Sequence, residues 1–464
     1  MAPSRALGKT APAFQAPSFF ADDPVAHDYR TFFDLLHFDH IPERDERRPW
    51  PGSPPHPERA YVKALLVKVR EGFRYTTKLR EFLVKHPPLV VQLGFRPVVD
   101  PTQPYGFNVE QTVPCDRHLR HKLQTLPHAL LQTVLEGTVQ DLKAEIPELG
   151  ESVAMDVKHI YAWVKENNPR QFVKERFDPH RQPKGDPDCK LGVKRSHNQE
   201  RVSETPTPAV RADKPATSSA KKEQKEFLWG YGTGIAVARH PTYGECVLAE
   251  QTQTFNRHDS TYYFPLIRQA RERLQRPIRR FAADAAFDAW YIYEDIHAGG
   301  GKAYIPLNNH GFALPTFGPS GHSLCPDGRE MVESYRYFDQ TRGYHAQVER
   351  CPLLTPPGAT GETCRIEHPQ FVKEIGCVKY RNIERGAQLR LELDRQSAEY
   401  DKAYDDRTSA ERINSQAKEH GIERPALRRI SGVCNWNTLI YSVINAKALQ
   451  RVRKMKVQQE HTPP

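Results

Sequence analysis

The sequence predicts an α/β protein that begins with a helical region, and the order of its elements is the main reason. Between residues 58 and 146, apolar side chains recur at the spacing of amphipathic helices. Strand-like apolar runs follow at 152–160, 227–238, 244–253, 278–283 and 302–306. One helix is expected between the third and fourth strands, one between the fourth and fifth, and one beyond residue 395. Three strands followed by alternating helices and strands are the succession of the ribonuclease-H-like α/β fold.

Local signals set the expected ends of the helices. The N-terminal helices are predicted at 58–73, 76–85, 116–126 and 127–146, with Pro87-Pro88 ending the second of them. Asp259 is the expected N-cap of a helix that ends near Leu274, and a further helix is predicted over 286–297.

Composition suggests how the chain is divided. Residues 1–57 are rich in Pro, Arg and Asp, which predicts a weakly ordered arm, although Thr31–Leu36 could dock as a short helix. The expected regions are this arm, a helical region at 58–148, a core at 149–306 and 395–450, a polar flexible insertion at 165–226, a Pro-, Gly- and Cys-containing insertion at 307–394, and a basic tail at 451–464.

Charge and cysteine usage narrow the classes of protein. The chain has 67 Lys and Arg against 57 Asp and Glu, a net charge of +10, which favours a polyanionic partner. No run of eighteen apolar residues and no signal-peptide pattern occur, so a soluble cytoplasmic protein is expected. Eight scattered cysteines are typical of reduced thiols rather than of a disulfide framework.

One predicted helix carries an unusual set of side chains. Arg407, Glu411 and Lys418 follow Tyr404 by three, seven and fourteen residues. On an uninterrupted α-helix all four lie within an arc of roughly 60°. A carboxylate that binds a cation, beside a guanidinium, an ammonium and a phenol that bind phosphates, suits a metal held next to a nucleic-acid backbone. A solvated charged face is the alternative.

Two further acids stand at strand positions. Asp156 lies inside the apolar run 152–160, where aspartate is disfavoured, and Asp284 ends the run 278–283. An edge strand or a turn would also explain Asp156. In the expected fold these acids and Glu411 converge, and a few carboxylates suffice to hold two divalent cations for phosphodiester hydrolysis.

The motifs resemble those of bacterial insertion-sequence transposases of the DDE class. The spacing of Tyr404, Arg407, Glu411 and Lys418 is that of the Tyr-x2-Arg-x3-Glu-x6-Lys signature. The segment Ala283–Asp288 resembles the one around the second acid of that family, with Phe287 in place of a tyrosine; Met155–Ile160 resembles the first-acid strand, and Asn414 also matches. The likeness covers roughly residues 150–450. A β-rich insertion before the Glu-bearing helix is a further family feature.

The resemblance implies a function for these residues. Asp156 would bridge two Mg²⁺ ions, which Mn²⁺ could replace, while Asp284 and Glu411 would each hold one. Tyr404, Arg407, Lys418 and Asn414 would bind DNA near the scissile phosphate. The substrate would be the double-stranded terminal inverted repeats of a mobile element, cleaved at the ends and joined to target DNA by a homodimer. No membrane partner is implied.

Other functions remain open at this point. A catalytically silent or domesticated DNA-binding protein would bind without metal-dependent nicking, and a ribonuclease-H-like nuclease would cleave DNA that lacks terminal repeats. The basic helical region 58–146 is the expected site of sequence-specific binding, although a solvated surface is equally compatible with it.

Several other residues are assigned structural roles or no function. Asp288 is expected to cap a helix rather than bind metal, Trp290 to pack, and His258 to lie beside the cap without contacting DNA. Zinc is not expected, because the spacings of Cys325, Cys351, Cys364 and Cys377, with His368 nearby, lack the close Cys pair of structural zinc sites. The glycine-rich strand at 230–234 lacks the lysine of a phosphate-binding loop.

Overall fold

The computed structural model describes residues 14–43, 55–195, 225–308, 315–355, 362–366 and 369–460. The chain divides into two compact units. Residues 1–149, 156–275 and 409–464 form the first unit, and residues 150–155 and 276–408 form the second. The strand Ser152–Tyr161 (β1) is therefore divided, with Ser152–Met155 in the second unit and the rest in the first.

Helices make up the N-terminal part of the first unit. They are α1 (Pro24–Phe33), α2 (Glu58–Arg70), α3 (Thr76–Lys85), α4 (Pro87–Leu93), α5 (Val109–Thr112), α6 (Asp116–Thr125) and α7 (His128–Glu145). The four helices predicted from periodicity are confirmed within a few residues. Pro87-Pro88 both ends α3 and starts α4, because proline is tolerated at the first positions of a helix.

The prediction of a weakly ordered N-terminal arm is wrong for the part that the structure describes. Asp23 caps α1 by accepting a hydrogen bond from the Ala26 amide at 2.7 Å. Tyr29, Phe32 and Phe33 are then buried, so the helix contributes aromatic side chains to the core. Burial of these rings stabilises the segment, although the residues around them are rich in Pro, Arg and Asp.

The strands of the first unit are mainly antiparallel. Strand β3 (Lys225–His240) pairs along one part of its length with β2 (Lys190–Arg195), along another with β4 (Gly244–Thr254), and also neighbours β1. Strand β2 lies inside the 165–226 segment that was predicted to be flexible, so that prediction is wrong there. The predicted run 214–222 and Pro206, Pro208 and Pro215 lie outside the described residues.

The glycines of β3 form a flat face. Gly230, Gly232 and Gly234 alternate along the strand, so they share one side of it. The Tyr262 ring lies against this side, and its hydroxyl donates to the Gly232 carbonyl at 3.0 Å. A Cβ at Gly232 would stand 2.5 Å from the Tyr262 hydroxyl, and one at Gly230 would stand 2.0 Å from the Ile160 carbonyl oxygen. The glycines therefore provide room for close packing, not a phosphate site.

Two further helices of the first unit pack on its strands. Helix α8 (Tyr263–Leu274) packs on β3 and β4, and α14 (Ile430–Glu460) packs on β4 and α7. A 3-10 turn over Asp259–Tyr262 precedes α8, and its cap is His258, which accepts from the Ser260 amide, rather than the predicted Asp259. Helix α14 extends through most of the predicted basic tail.

A buried row of polar side chains fixes α14. Asn435, Thr438, Ser442 and Asn445 recur every three or four residues and are at most 1% exposed. The Asn445 amide donates to the Val247 carbonyl and accepts from the Val247 amide, each at 2.8 Å. Because these bonds satisfy backbone groups in β4, the helix can adopt only one register on the sheet.

The second unit contains a parallel arrangement of strands and a separate sheet. Strand β1 pairs in parallel with β5 (Arg280–Ala283), and β5 with β6 (Lys302–Tyr304). A second, antiparallel sheet lies in the insertion and has the order β7 (Val332–Asp339), β8 (Tyr344–Arg350), β9 (Val378–Asn382). With parallel and antiparallel pairs beside many helices, the protein is a mixed α/β protein.

The helices of the second unit are short. They are α9 (Trp290–Ala298), α10 (Pro369–Val372), α11 (Arg385–Glu392) and α12 (Ala398–Tyr404). Helix α9 starts later than the predicted residue 286, because Ala285–Phe287 form a 3-10 turn. Helix α12 packs on β5 and β6 and continues through a 3-10 turn (Asp405–Arg407) into α13 (Thr408–Glu419), which belongs to the first unit.

Within the described part of the chain, no helix is both long and apolar enough to cross a membrane.

Candidate active site

Asp156 lies where β1 changes from fully buried to half-buried. Val153, Ala154 and Met155 are at most 1% exposed, whereas Asp156 and the three residues after it are half-buried. The Asp156 carboxylate accepts a hydrogen bond from Asn414 Nδ2 at 2.8 Å. The apolar residues before it hold the strand in the core, so the carboxylate is fixed at the point where the strand becomes accessible.

Asn414 and Glu411 belong to α13, whose two faces differ. Ala410, Ile413 and Ala417 are fully buried and anchor the helix, while Glu411 and Lys418 are exposed. Glu411 is in the first turn, where the helix dipole favours a carboxylate. It precedes Asn414 by three residues, a spacing that makes the two side chains neighbours on the helix surface. The first and third predicted acids are thus linked through Asn414 in the first unit.

The Asn414 side chain has an unused acceptor. Asn414 is 4% exposed, and its Oδ1 has no hydrogen-bond partner among the residues that the structure describes. A buried amide oxygen without a partner costs free energy, on the order of 1–3 kcal/mol. A cation or a donor group of a ligand would satisfy it.

Lys418 is the signature residue at the end of α13. Its Nζ lies 3.7 Å from Glu423 Oε2, and Lys158 Nζ lies 2.5 Å from Glu423 Oε1. Burial raises the pKa of Glu423, but the hydrogen bond from Lys158 and the charges of Lys158 and Lys418 outweigh burial and hold the pKa below its ordinary value. Glu423 was not singled out from the sequence, where it is only one acid in a charged turn.

Asp284 lies in the second unit. It directly follows β5 and caps the 3-10 turn after it, accepting from the Ala286 amide at 2.9 Å. In the parallel pairing of this unit, Met155 is opposite Ala283. Each of these two residues is followed in the sequence by a predicted acid, Asp156 and Asp284 respectively.

Tyr404 and Arg407 also lie in the second unit. The Tyr404 ring stacks on Tyr400 with centroids 5.5 Å apart, and the Arg407 guanidinium is 5.4 Å from the Tyr404 ring. The prediction of a single α-helix through all four signature residues is wrong, because residues 405–407 form a 3-10 turn between α12 and α13.

Asp406, inside this turn, is a positioning residue that the sequence analysis missed. Its carboxylate accepts from the Ser152 hydroxyl and lies 3.8 Å from Arg280 Nε. It therefore holds the turn against the first residues of β1 and β5 in the second unit. Its partners are more than 120 residues away in the sequence, so no local pattern predicts the contact.

The structure thus joins some predicted residues and not others. Asp156 and Asn414 are in contact in the first unit, with Glu411 one turn away, whereas Asp284, Tyr404 and Arg407 belong to the second. In the described residues, no three or more His, Cys, Asp or Glu side chains are grouped so as to hold a metal ion.

Asp288 has a structural role instead of the predicted capping role. Its side chain is fully buried and accepts two hydrogen bonds from Arg390, at 2.8 Å and 2.6 Å. The Tyr293 hydroxyl and the Asn308 amide donate to it as well. These four bonds use both carboxylate oxygens, so Asp288 has little capacity left to bind a metal ion.

The cysteines of the insertion lie close together. Cys325, Cys351 and Cys377 are buried in one cluster with Met331 and Leu353, and Cys364 packs against it. Burial, followed by the nearby cysteines, raises the pKa of Cys377 to about 11, so this thiol is neutral at physiological pH. His368 lies outside the described residues.

No protein-family model matches this chain, and no curated protein matches it in sequence.

Proposed function

We propose that this chain is a DDE-class transposase with a ribonuclease-H-like core. It would bind the terminal inverted repeats of a mobile element, cleave the DNA at the ends and join the 3′ ends to target DNA. The observation that carries the proposal is the hydrogen bond between Asn414 and Asp156, because it links the first predicted acid to the helix of the third. The pairing of Met155 with Ala283, each followed by an acid, supports the inclusion of Asp284.

The available ligands fit magnesium. Asp156, Asp284 and Glu411 offer hard carboxylate oxygens, and the Asn414 Oδ1 without a partner is an oxygen of the same kind. Asp156, Asp284 and Glu411 would hold two Mg²⁺ ions, which Mn²⁺ could replace. When bound, two such ions would activate the attacking water and stabilise the charge that develops on the phosphate.

The chain itself would supply the contacts to DNA. Lys418 is exposed at the end of α13, seven residues and nearly two turns after Glu411, and offers a cation on the same face of that helix. Arg407 and Tyr404 would contact the backbone near the scissile bond. Because two ends must be cut and joined together, the proposed form on DNA is a homodimer, and the proposed location is the bacterial cytoplasm with the nucleoid.

A cleavage experiment tests the proposal. The purified protein is incubated with linear DNA that carries the ends of its own element, with and without Mg²⁺, beside the variants Glu411→Ala and Glu419→Ala. Glu419 is an exposed acid at the end of the same helix, outside the signature, and serves as the matched control. We expect Mg²⁺-dependent cuts at the element boundary in the wild type and in Glu419→Ala, and none in Glu411→Ala.

Each other result has a defined meaning. Binding without cutting in any divalent metal would favour a catalytically silent DNA-binding protein. Equal cutting of DNA without the repeats would favour a ribonuclease-H-like nuclease. Full activity of Glu411→Ala would remove Glu411 from the site.

A further inference from the structure

Helix α2 contains a buried lysine without an acidic partner. Lys68 is 2% exposed, and its Nζ lies 3.6 Å from the centroid of the Trp436 ring. Among the described residues no carboxylate pairs with it, and burial alone lowers the pKa of Lys68 to about 7. The face of Trp436 attracts the ammonium group, which favours the protonated form in spite of burial.

The other cations of the helical region are different. Five of them are ion-paired with acids of the same unit: Arg70 with Asp28, Lys78 with Glu81, Arg80 with Glu110, Arg120 with Asp116, and Lys122 with Glu58. These pairs neutralise much of the basic face that the sequence predicted. Lys68 is the cation in α2 that burial would penalise most, so its presence calls for a ligand that stabilises it.

Lys68 lines a cleft in the first unit. The cleft has a volume of about 260 Å³, and its wall includes Arg74, Lys418, Arg424 and Trp436. Among the described residues that line the cleft, Glu423 is the single acid, and Lys158 and Lys418 already pair with its carboxylate. Four cations therefore face a small cleft, and two lysines compensate the negative charge of Glu423. The resulting positive potential attracts anions.

We propose that this cleft binds a phosphate group of a DNA strand, with Lys68 donating to it from the buried wall and Arg74 and Arg424 from the rim. This proposal rests on the proposed function, because Lys418 of the signature lines the same cleft. It adds residues of the N-terminal helical region to the contacts expected of that signature. The bound phosphate supplies the negatively charged partner that Lys68 does not have among the described residues.

The substitution Lys68→Met tests the proposal. Methionine keeps the length and apolar contacts of the side chain and removes the charge, and Lys63→Met makes the same change elsewhere on α2. Lys63 is a suitable control because it is half-buried beside the Phe33 and Phe38 rings but does not line the cleft. Binding of a labelled DNA duplex is measured by fluorescence anisotropy at pH 7 over a series of KCl concentrations, without divalent metal.

We expect Lys68→Met to weaken DNA binding about tenfold and to reduce the slope of log K against log salt by about one, as for the loss of one phosphate contact. Lys63→Met should bind like the wild type, and Lys68→Arg should retain most of the affinity. Unchanged affinity and slope in Lys68→Met would overturn the proposal, whether or not the protein cleaves DNA. If the wild type shows no Mg²⁺-dependent cleavage, that result would refute the proposed function and would leave the phosphate site standing.

A second arm distinguishes DNA from free phosphate. Inorganic phosphate is titrated into the wild type and Lys68→Met without DNA, and thermal unfolding is followed. Stabilisation of the wild type at millimolar phosphate that is absent in Lys68→Met, together with weaker DNA binding by that variant, supports a phosphate site on the DNA path. The same stabilisation with unchanged DNA binding would show a site for free phosphate and overturn the proposal.

Discussion

Two aspartates of this protein, Asp156 and Asp288, are held in opposite ways. Asp288 in the second unit is fully buried and bound through both oxygens by the Arg390 guanidinium. Asp156 in the first unit is half-buried and accepts from the neutral amide of Asn414. A guanidinium cancels the charge of a carboxylate, whereas an amide orients it and leaves the charge in place. The first arrangement uses the carboxylate in a buried ion pair, whereas the second orients it at the half-buried part of β1.

The contrast shows that residue type alone does not identify a metal ligand. Asp284 and Asp288 are four positions apart, and from the sequence Asp284 was expected to bind metal and Asp288 to cap a helix. Their partners separate them, since Asp288 is bound by a cation and Asp284 by the amide of its own turn. The following changes test this distinction, beginning with the largest expected effect.

Asp156→Asn should reduce DNA cleavage roughly 10³-fold or more, because a lost metal ligand removes several kcal/mol of stabilisation from the transition state. The carboxamide has the same shape, so the thermal unfolding temperature should change little. Cleavage rate and unfolding temperature are measured on the same preparation. A rate within tenfold of the wild type would mean that Asp156 resembles Asp288 more than the proposal allows.

Asp288→Ala should lower the free energy of unfolding by about 3 kcal/mol, because it leaves the half-buried Arg390 charge without its carboxylate partner. Urea unfolding followed by circular dichroism measures the effect. The double variant Asp288→Leu with Arg390→Met should recover much of the loss, since it removes both charges. If Asp288→Ala were as stable as the wild type, the ion pair would not be what holds α9 and α11 together.

Asn414→Ala should slow cleavage roughly 10- to 100-fold, the usual cost of removing a group that orients a metal ligand. The metal requirement should shift as well, with a higher Mg²⁺ concentration needed for half-maximal rate. Ser415→Ala, an exposed neighbour on α13, is the control. An unchanged Mg²⁺ dependence would limit Asn414 to a packing role.

Lys68→Met should stabilise the protein by about 4 kcal/mol near pH 7, because it removes a side chain that is charged in the unfolded chain and whose charge burial opposes in the folded state. The folded-state pKa of Lys68 is lowered to about 7 from 10.5, so the unfolded chain binds more protons between these values. The free energy of unfolding of the wild type therefore rises with pH between about 7 and 10.5 because of Lys68. The advantage of Lys68→Met should shrink between pH 7 and pH 10 in unfolding measurements, and a constant difference would contradict the assigned pKa.

The sequence predicted elements whose apolar residues repeat regularly. Helices α2, α3, α6 and α7 and strands β1, β3, β4, β5 and β6 were found in this way, with ends that differ by a few residues. Strand β2 was missed, because it is short and polar and is ordered by pairing with β3. The 3-10 turn over Asp405–Arg407 was missed because no residue in it breaks an α-helix.

The residues of the candidate site were also predicted only in part. The fixed spacing of the signature located Glu411, Asn414 and Lys418, but the partners of Asp288 and Asp406 are distant in sequence and could not be predicted from it. The buried position of Lys68 could have been predicted from its spacing in the sequence. Lys68 follows Tyr61 by seven residues and Leu65 by three, which places a lysine on the buried face of α2.

The glycine face of β3 has a consequence for how this gene can change. A single base substitution that replaces a glycine always introduces a residue with a Cβ, and Gly230, Gly232 and Gly234 have no room for one. Every replacement by a point mutation at these codons would displace Tyr262 or the Ile160 backbone. Substitutions at these three codons should therefore be rare for as long as the protein has to fold. Among related genes, an intact Gly-x-Gly-x-Gly segment would mark those whose product is still selected to fold.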